Sequence, residues 1–388
     1  MTRLCIFSLL GLTLAGRLPA AAPTATVAVT DGGPRINSAT WECTPGHKVE
    51  KHDITLDSGA MRYTFLASGC VDPSHGEQRP CAEGNFGMPD PVLCNWYWGG
   101  FFQVLINGTN ATAYRIADIR VIETGARGAF QIIWAHPDAE VGLRLLMLPK
   151  SNHVLAELTW KPRAAATLKT VGVRLTCYPS FFTTARHRQG ARHCRTPRTD
   201  LGEVQTLQLV PERDTYLYYY DTTFDIAKGE GEGPCAALVV PAGILGGKVD
   251  VGDYAEVTEL SLQPEAGQAR LAFYDFAGHK NAHAASYLKA HAAEDLAQLA
   301  QMDFRPLPVR GLQVERLRSE ATELLTAAGD DGQALRPEMD KLLSSLAELK
   351  AKAEGGDWKA EADLSNLLEN SADLFWKLRA FAALNSAQ

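Results

Sequence analysis

The sequence has no apolar run of the roughly 20 residues needed to cross a bilayer. It also lacks an excess of basic residues, since its net charge is −7, and we therefore predict no nucleic-acid partner. Walker loops, dinucleotide-binding fingerprints, G-x-S-x-G elbows and H-E-x-x-H zinc-protease motifs are all missing. No C-x2-C pair is present either, so we expect neither a metal nor a cofactor.

Cysteine is scarce, with eight residues in 388. Cys5 lies in an N-terminal segment that we expect to be removed, which leaves an odd number of cysteines. In an oxidising compartment such cysteines tend to pair. Proximity in sequence favours a Cys70–Cys81 bridge and a Cys177–Cys194 bridge, with Cys43 among those left over.

The N-terminal stretch "MTRLCIFSLLGLTLAGRLPAAAPTATV" has a charged tip, a short apolar run and an Ala-rich end. This order is typical of a secretory signal peptide. We predict a signal peptide over residues 1–22, with cleavage between Ala20 and Thr26. The protein is therefore expected to be secreted or periplasmic.

From Gly59 to about Phe276 the apolar residues recur at the spacing of β-strands. Segments such as "MRYTF" and "HVLAELTW" alternate in polarity, and Gly, Pro, Asn or Asp separates most of them. About a dozen such segments without a helical interruption indicate an antiparallel sandwich rather than a parallel sheet. We predict a mainly β protein whose sandwich domain covers residues 23–280.

The periodicity becomes helical near Gly278. The segment 281–310 is predicted to be one helix followed by an extended connector, because two closely spaced prolines interrupt "MDFRPLPVRG". Three further apolar stripes predict a small C-terminal α-helical bundle over residues 311–388, with Pro337 in the first turn of its second helix. The bundle helices could pack on each other or on the sandwich.

The segment "CNWYWGGFFQ", residues 94–103, holds five aromatic residues. In an extended segment Trp96 and Trp98 share one face and Tyr97 lies on the other. Exposed Trp and Tyr rings bind sugars by stacking on flat pyranose faces. The alternative is a core segment, which the following Phe101 and Phe102 favour.

The segment "ARHRQGARHCRTPR", residues 185–198, concentrates arginine in an acidic protein. Arg186, Arg188, Arg192 and Arg195 are candidate ligands for the carboxylate or sulfate groups of an acidic polysaccharide, because guanidinium matches such groups in two-pronged hydrogen bonds. The alternative is a solvated loop whose arginines pair with nearby acids such as Asp200.

Histidine and carboxylate residues occur together in "AHPDAE" and "SNHVLAELTW", which contain His136, His153 and Glu157. Such pairs can perform proton transfer at a sugar carbon. Their spacing provides no test of that role, so the catalytic residues are left unassigned.

The long strand array that closes with a helix resembles the galactose-mutarotase-type super-sandwich over roughly residues 35–280. The resemblance implies a large antiparallel sandwich and a role in carbohydrate chemistry, since sugar epimerases, polysaccharide lyases and glycosidases use this fold. The family carries a "HPYF"-like stretch, whereas here His136-Pro137 is followed by Asp138-Ala139. No catalytic residue is transferred on this basis.

These observations favour a secreted carbohydrate-binding protein whose ligand is an extracellular glycan, acidic if the arginines bind it. One alternative is an epimerase-type or lyase-type enzyme that uses His/Glu acid–base chemistry. Another is a structural or envelope-associated protein that binds a protein partner through its C-terminal helices.

Overall fold

The computed structural model describes residues 25–38, 48–71, 80–81, 83–164, 166–181, 191–228 and 232–386. The predicted signal peptide, residues 1–22, lies outside these ranges. Cys43 and two arginines of the predicted basic segment, Arg186 and Arg188, also lie outside them.

Twenty strands and five α-helices form in the described part of the chain. The strands are β1 (Ala28–Asp31), β2 (Arg35–Ser38), β3 (Lys48–Asp57), β4 (Arg62–Cys70), β5 (Asn85–Asp90), β6 (Phe102–Ile106), β7 (Thr109–Asn110), β8 (Ile116–Glu123), β9 (Gly128–Ala135), β10 (Ala139–Met147), β11 (His153–Pro162), β12 (Val171–Cys177), β13 (Arg192–Arg195), β14 (Asp200–Gly202), β15 (Gln205–Leu209), β16 (Tyr216–Asp221), β17 (Cys235–Val239), β18 (Ile244–Val251), β19 (Glu256–Leu262) and β20 (Gln268–Asp275). The helices are α1 (Asn281–Gln301), α2 (Leu307–Gly311), α3 (Val314–Ala327), α4 (Gly329–Glu354) and α5 (Trp358–Ser386).

The strands form three antiparallel sheets. The largest has nine strands in the order β14-β13-β16-β17-β20-β11-β10-β9-β8, and the second has six in the order β15-β18-β19-β12-β6-β7. The third contains five strands, β1-β3-β4-β5 with β2 paired to β3. The prediction of a mainly β, antiparallel fold followed by C-terminal helices is confirmed.

One apolar core lies between the sheets and takes side chains from all three. Phe65 of β4, Leu143 of β10 and Val173 of β12 are completely buried in it. This burial agrees with the alternation seen in the sequence, because successive side chains of a strand point to opposite faces. The core therefore holds the sheets together as stacked layers.

A row of polar side chains crosses the opposite, outer face of the nine-stranded sheet. Its members are direct neighbours on five adjacent strands: Arg120, Gln131, Arg144, Glu157 and Arg270. We refer to these five residues as the polar row. Arg144 donates to Gln131 at 2.8 Å and Arg270 donates to Glu157 at 2.9 Å, so neighbouring members satisfy each other.

The helices cover this outer face. Leu288, Ala292 and Leu299 of α1 are buried against side chains of β16, β17 and β20. Helices α3, α4 and α5 share a separate apolar core, and α5 also docks on the sheet through a buried ion pair between Glu361 and Arg144 of the polar row. The helices therefore pack both on each other and on the sandwich. No helix in the described ranges combines the length and apolarity that crossing a membrane would require.

Two details of the predicted helices are wrong. The connector contains a short helix, α2, because Pro306 precedes its first residue and Pro308 lies in its first turn, where no amide donor is needed. Helix α4 begins at Gly329, so Pro337 lies inside the helix and not in its first turn. The early start is consistent with Asp330 and Asp331, whose negative charges favour the N-terminal end of a helix.

The predicted disulfide bridges are also not formed. Cys70 and Cys81 are thiols in the structure, and so are Cys177 and Cys194, which were expected to pair with each other. Cys177 lies on the six-stranded sheet and Cys194 on the nine-stranded sheet, so proximity in sequence misled the pairing. Burial raises the pKa of both thiols, which keeps them protonated.

Candidate functional site

The aromatic segment crosses one end of the sandwich between β5 and β6. Trp96 is completely buried, and its indole nitrogen donates to the carbonyl of Tyr274 at 2.9 Å. Its ring packs edge-on against Phe273 with centroids 5.3 Å apart. A buried ring cannot stack on a sugar, so Trp96 is removed from the predicted ligand-binding set.

Trp98, by contrast, is 44% exposed and begins a chain of four aromatic rings that reaches the surface at both ends. Its ring contacts Tyr97 at 6.1 Å, Tyr97 contacts Tyr178 at 5.3 Å, and Tyr178 contacts Tyr254 at 5.4 Å. Tyr254 is 61% exposed. We call these four residues the aromatic ridge, which has exposed rings at its two ends and more deeply placed tyrosines between them.

Glycines hold the ridge in place. A Cβ on Gly99 would lie 2.7 Å from the hydroxyl oxygen of Tyr97, so the bare backbone makes room for that ring. Gly87 of β5 packs directly against the backbone carbonyl of Trp98, where any side chain would collide. The bare backbone of Gly99 therefore accommodates the ring of Tyr97.

Asn95 forms a polar layer beneath the ridge. Its side-chain amide donates to the carboxylate of Asp275 at 2.8 Å, and its carbonyl oxygen accepts from the amide of Ser180 at 2.9 Å. The backbone carbonyl of Asn95 also accepts from the amide of Tyr178 at 3.1 Å. Asn95 thus ties three segments that are distant in sequence to one another below the rings.

Burial raises the pKa of Asp275 to about 7, although the hydrogen bond from Asn95 acts in the opposite direction. Its Oδ1 accepts from Asn95 and from the amide of Ala277, whereas its Oδ2 is buried with no hydrogen-bond partner. A carboxyl group in this position is more stable with a proton than as an anion.

We predict that Asp275→Asn removes a pH dependence of stability. Unfolded aspartate has a pKa near 3.9. The folded chain therefore holds this proton between about pH 4 and 7 while the unfolded chain does not, and the stabilisation present at pH 4 is lost as the pH rises to 7. Urea unfolding at pH 4.5 to 8 should show wild type falling relative to the variant by at most ~1.4 kcal/mol per pH unit.

Asp214→Asn is a suitable control for this experiment. Its carboxylate pairs with Arg198, and the pKa of Asp214 is lowered in spite of burial because Arg198, the amide of Val210 and the side chain of Thr196 donate to it. This variant should instead lose stability at neutral pH. If the free energy of unfolding changed with pH in the same way for wild type and Asp275→Asn, this result would contradict the assignment of a protonated Asp275.

The described arginines of the basic segment have structural partners. Arg192 is completely buried, donates to the carbonyl of Phe181 at 2.7 Å and lies 5.7 Å from the ring centroid of Tyr178. It therefore supports the ridge from below and cannot contact a surface ligand, contrary to the prediction. Arg195 binds the carboxylate of Asp200 at 2.6 Å, so the predicted pairing with a nearby acid is confirmed, although the two residues lie in β13 and β14 and not in a loop.

The histidine–carboxylate candidates are likewise occupied. The amide of Asp138 donates to Nδ1 of His136, which is 1% exposed. Burial lowers the pKa of His153 to about 4, and Glu157 is held by Arg270 within the polar row. The structure brings none of these groups to the aromatic ridge. Within the described ranges, no cluster of three or more His, Cys, Asp or Glu residues could hold a metal ion.

No protein-family model matches this chain, and no curated protein matches it. Solved structures with a similar architecture include a TPR-domain containing protein from Parabacteroides distasonis, with a TM-score of 0.37 and 8% identity over 67% of this chain and 56% of that chain. A glycosyl hydrolase family 38 protein from Enterococcus faecalis has a TM-score of 0.37 and 10% identity over 69% and 39% of the two chains. This chain thus spans less than two thirds of either protein.

A protein named as an aldose 1-epimerase from Klebsiella pneumoniae has a TM-score of 0.33 and 10% identity, covering 71% of this chain and 96% of that chain. These values describe a coarse likeness of architecture and assign no activity. The case for a function therefore depends on the residues of the aromatic ridge.

Proposed function

We propose that the protein binds an uncharged extracellular glycan on the aromatic ridge. The observation that carries the proposal is the exposure of Trp98 and Tyr254 at the ends of a supported chain of rings. Flat exposed rings lose little conformational entropy when a sugar stacks on them. In this proposal the chain is exported, with residues 1–22 as its signal peptide.

Among the described residues, charge favours an uncharged ligand over the acidic polysaccharide considered from the sequence; Arg186 and Arg188 lie outside the described ranges. One exposed acidic side chain near the ridge is that of Glu232, whose carboxylate accepts from the thiol of Cys94. Arg195 and Arg198 are already bound to Asp200 and Asp214. A carboxylate beside the rings repels a polyanion, whereas it accepts hydrogen bonds from sugar hydroxyls.

A glycan-array screen of the exported form, at low and moderate salt, tests the class of ligand. We expect binding to neutral glycans that is insensitive to salt, because stacking is not screened by ions. Exposed charges are screened over about 8–10 Å at these ionic strengths, so binding of uronic or sulfated glycans that weakens with salt would instead implicate arginines. The absence of binding at both salt concentrations would contradict the proposal.

The role of Trp98 can be tested against a second exposed tryptophan, Trp376 of α5, which is 67% exposed. We predict that Trp98→Ala weakens binding at least about tenfold, as expected for the loss of a stacking ring, whereas Trp376→Ala leaves affinity unchanged. Neither change should alter Tm by more than a few degrees, since both rings are at the surface. Equal affinities of the two variants would count against the ridge.

A further inference from the structure

The spacing of the ridge restricts the kind of glycan that it can bind. Trp98 and Tyr254 are joined by three ring-to-ring steps of 6.1, 5.3 and 5.4 Å, so their centroids are at most about 17 Å apart. Tyr178, one step before Tyr254, is only 5% exposed. The two most exposed rings are therefore separated by a stretch that offers less stacking surface.

We infer that the ligand is an extended oligosaccharide that lies along the ridge and reaches both Trp98 and Tyr254. This inference rests on the proposed function. One pyranose covers about one aromatic ring, so a chain of at most roughly three to four sugars is enough to contact both ends. A monosaccharide could stack on one end only and would leave the other exposed ring unused.

The supporting layer is consistent with a ligand that spans the ridge. Asn95 fixes Tyr178 and Ser180, and Arg192 lies beneath the ring of Tyr178. The middle of the ridge is thereby held in place before any ligand arrives, and such preorganisation lowers the entropic cost of binding along its length. Two clefts of about 540 and 470 Å³ in the described part of the chain are lined by other residues, at the start of α5 and beside Phe304.

The test is calorimetric titration of the full mature protein with uncharged gluco- and manno-oligosaccharides of one to six sugars. We expect affinity to rise at least about thirtyfold between one and four sugars and then to reach a plateau. Tyr254→Ala should reduce the increase in affinity that the third and fourth sugars provide, and it should leave the weak binding of shorter ligands unchanged. Tyr254→Phe keeps the ring and should show the same increase in affinity with chain length as the wild type.

Failure of this inference can be distinguished from failure of the proposed function. Equal affinities for one and four sugars would overturn the extended ligand while leaving glycan binding intact. The same conclusion would hold if Tyr254→Ala retained the full gain with chain length. No binding at any length, for either sugar series, would overturn the proposed function together with the inference.

Discussion

Asn95→Ala is expected to lower the free energy of unfolding by about 3 kcal/mol. The side chain of Asn95 is completely buried and satisfies two other buried groups, the carboxyl of Asp275 and the amide of Ser180. Alanine would leave the amide of Ser180 without its partner and Asp275 with only the amide of Ala277, and water cannot readily replace the lost side chain in a closed interior. Chemical denaturation at pH 7 measures the loss directly.

Asn152→Ala provides the matched control. Asn152 also makes side-chain hydrogen bonds, to Tyr287 and His153, but it lies in a partly exposed position. We expect this variant to lose about 1 kcal/mol or less, because water can replace its amide. If Asn95→Ala and Asn152→Ala cost the same, Asn95 has no special role beneath the ridge. Because Asn95 also positions Tyr178, its removal should weaken glycan binding as well.

Gly142→Ala is expected to displace the start of α5 and to lower the free energy of unfolding by about 2 to 3 kcal/mol. The indole of Trp358 packs directly on the bare backbone of Gly142, in the space that a methyl group would occupy. The guanidinium of Arg144 lies 5.2 Å from the indole centroid, and the carbonyl of Trp358 accepts from Arg120 at 3.0 Å. A methyl group at position 142 would disrupt these contacts together.

Hydrogen exchange over residues 355–365 and Trp fluorescence report this displacement, and urea unfolding reports its cost. Gly202→Ala is the control, since a Cβ there would lie an ordinary 3.6 Å from the ring of His193. The double variant Gly142→Ala/Trp358→Ala isolates the cause, because the added methyl group should cost little once the indole is gone. An additive double variant would contradict a collision between these two residues.

The period of the apolar residues was sufficient to predict an antiparallel strand array and most of the helices, but β1, β2 and β3 precede Gly59, where the array was expected to begin. The helical periodicity that begins near Gly278 correctly identified α1, in which Leu288, Ala292 and Leu299 are buried. The start of α4 was missed because proline is frequent in the first turn of a helix, whereas Pro337 lies within one. The cysteine pairing failed for a related reason: spacing along the chain carries no information about which sheet a strand joins.

Only two of the four residues of the aromatic ridge could be predicted from the sequence. Trp98 and Tyr97 stood out because aromatic residues cluster there, although nothing local distinguishes the exposed Trp98 from the buried Trp96. Tyr178 and Tyr254 could not be connected to them, since the ridge forms only when the ends of β12 and β19 meet the 94–101 segment. A single tyrosine beside a turn carries no such signal.

The polar row restricts the register in which the strands of the nine-stranded sheet can pair. If a strand slides by two residues, every side chain stays on its own face, so apolar patterning alone does not penalise the error. Such a slip of β10 would move Arg144 from Gln131 to Ala129 or Ile133. A buried guanidinium that faces an apolar neighbour destabilises the folded state. The five polar side chains therefore favour a single register of their strands.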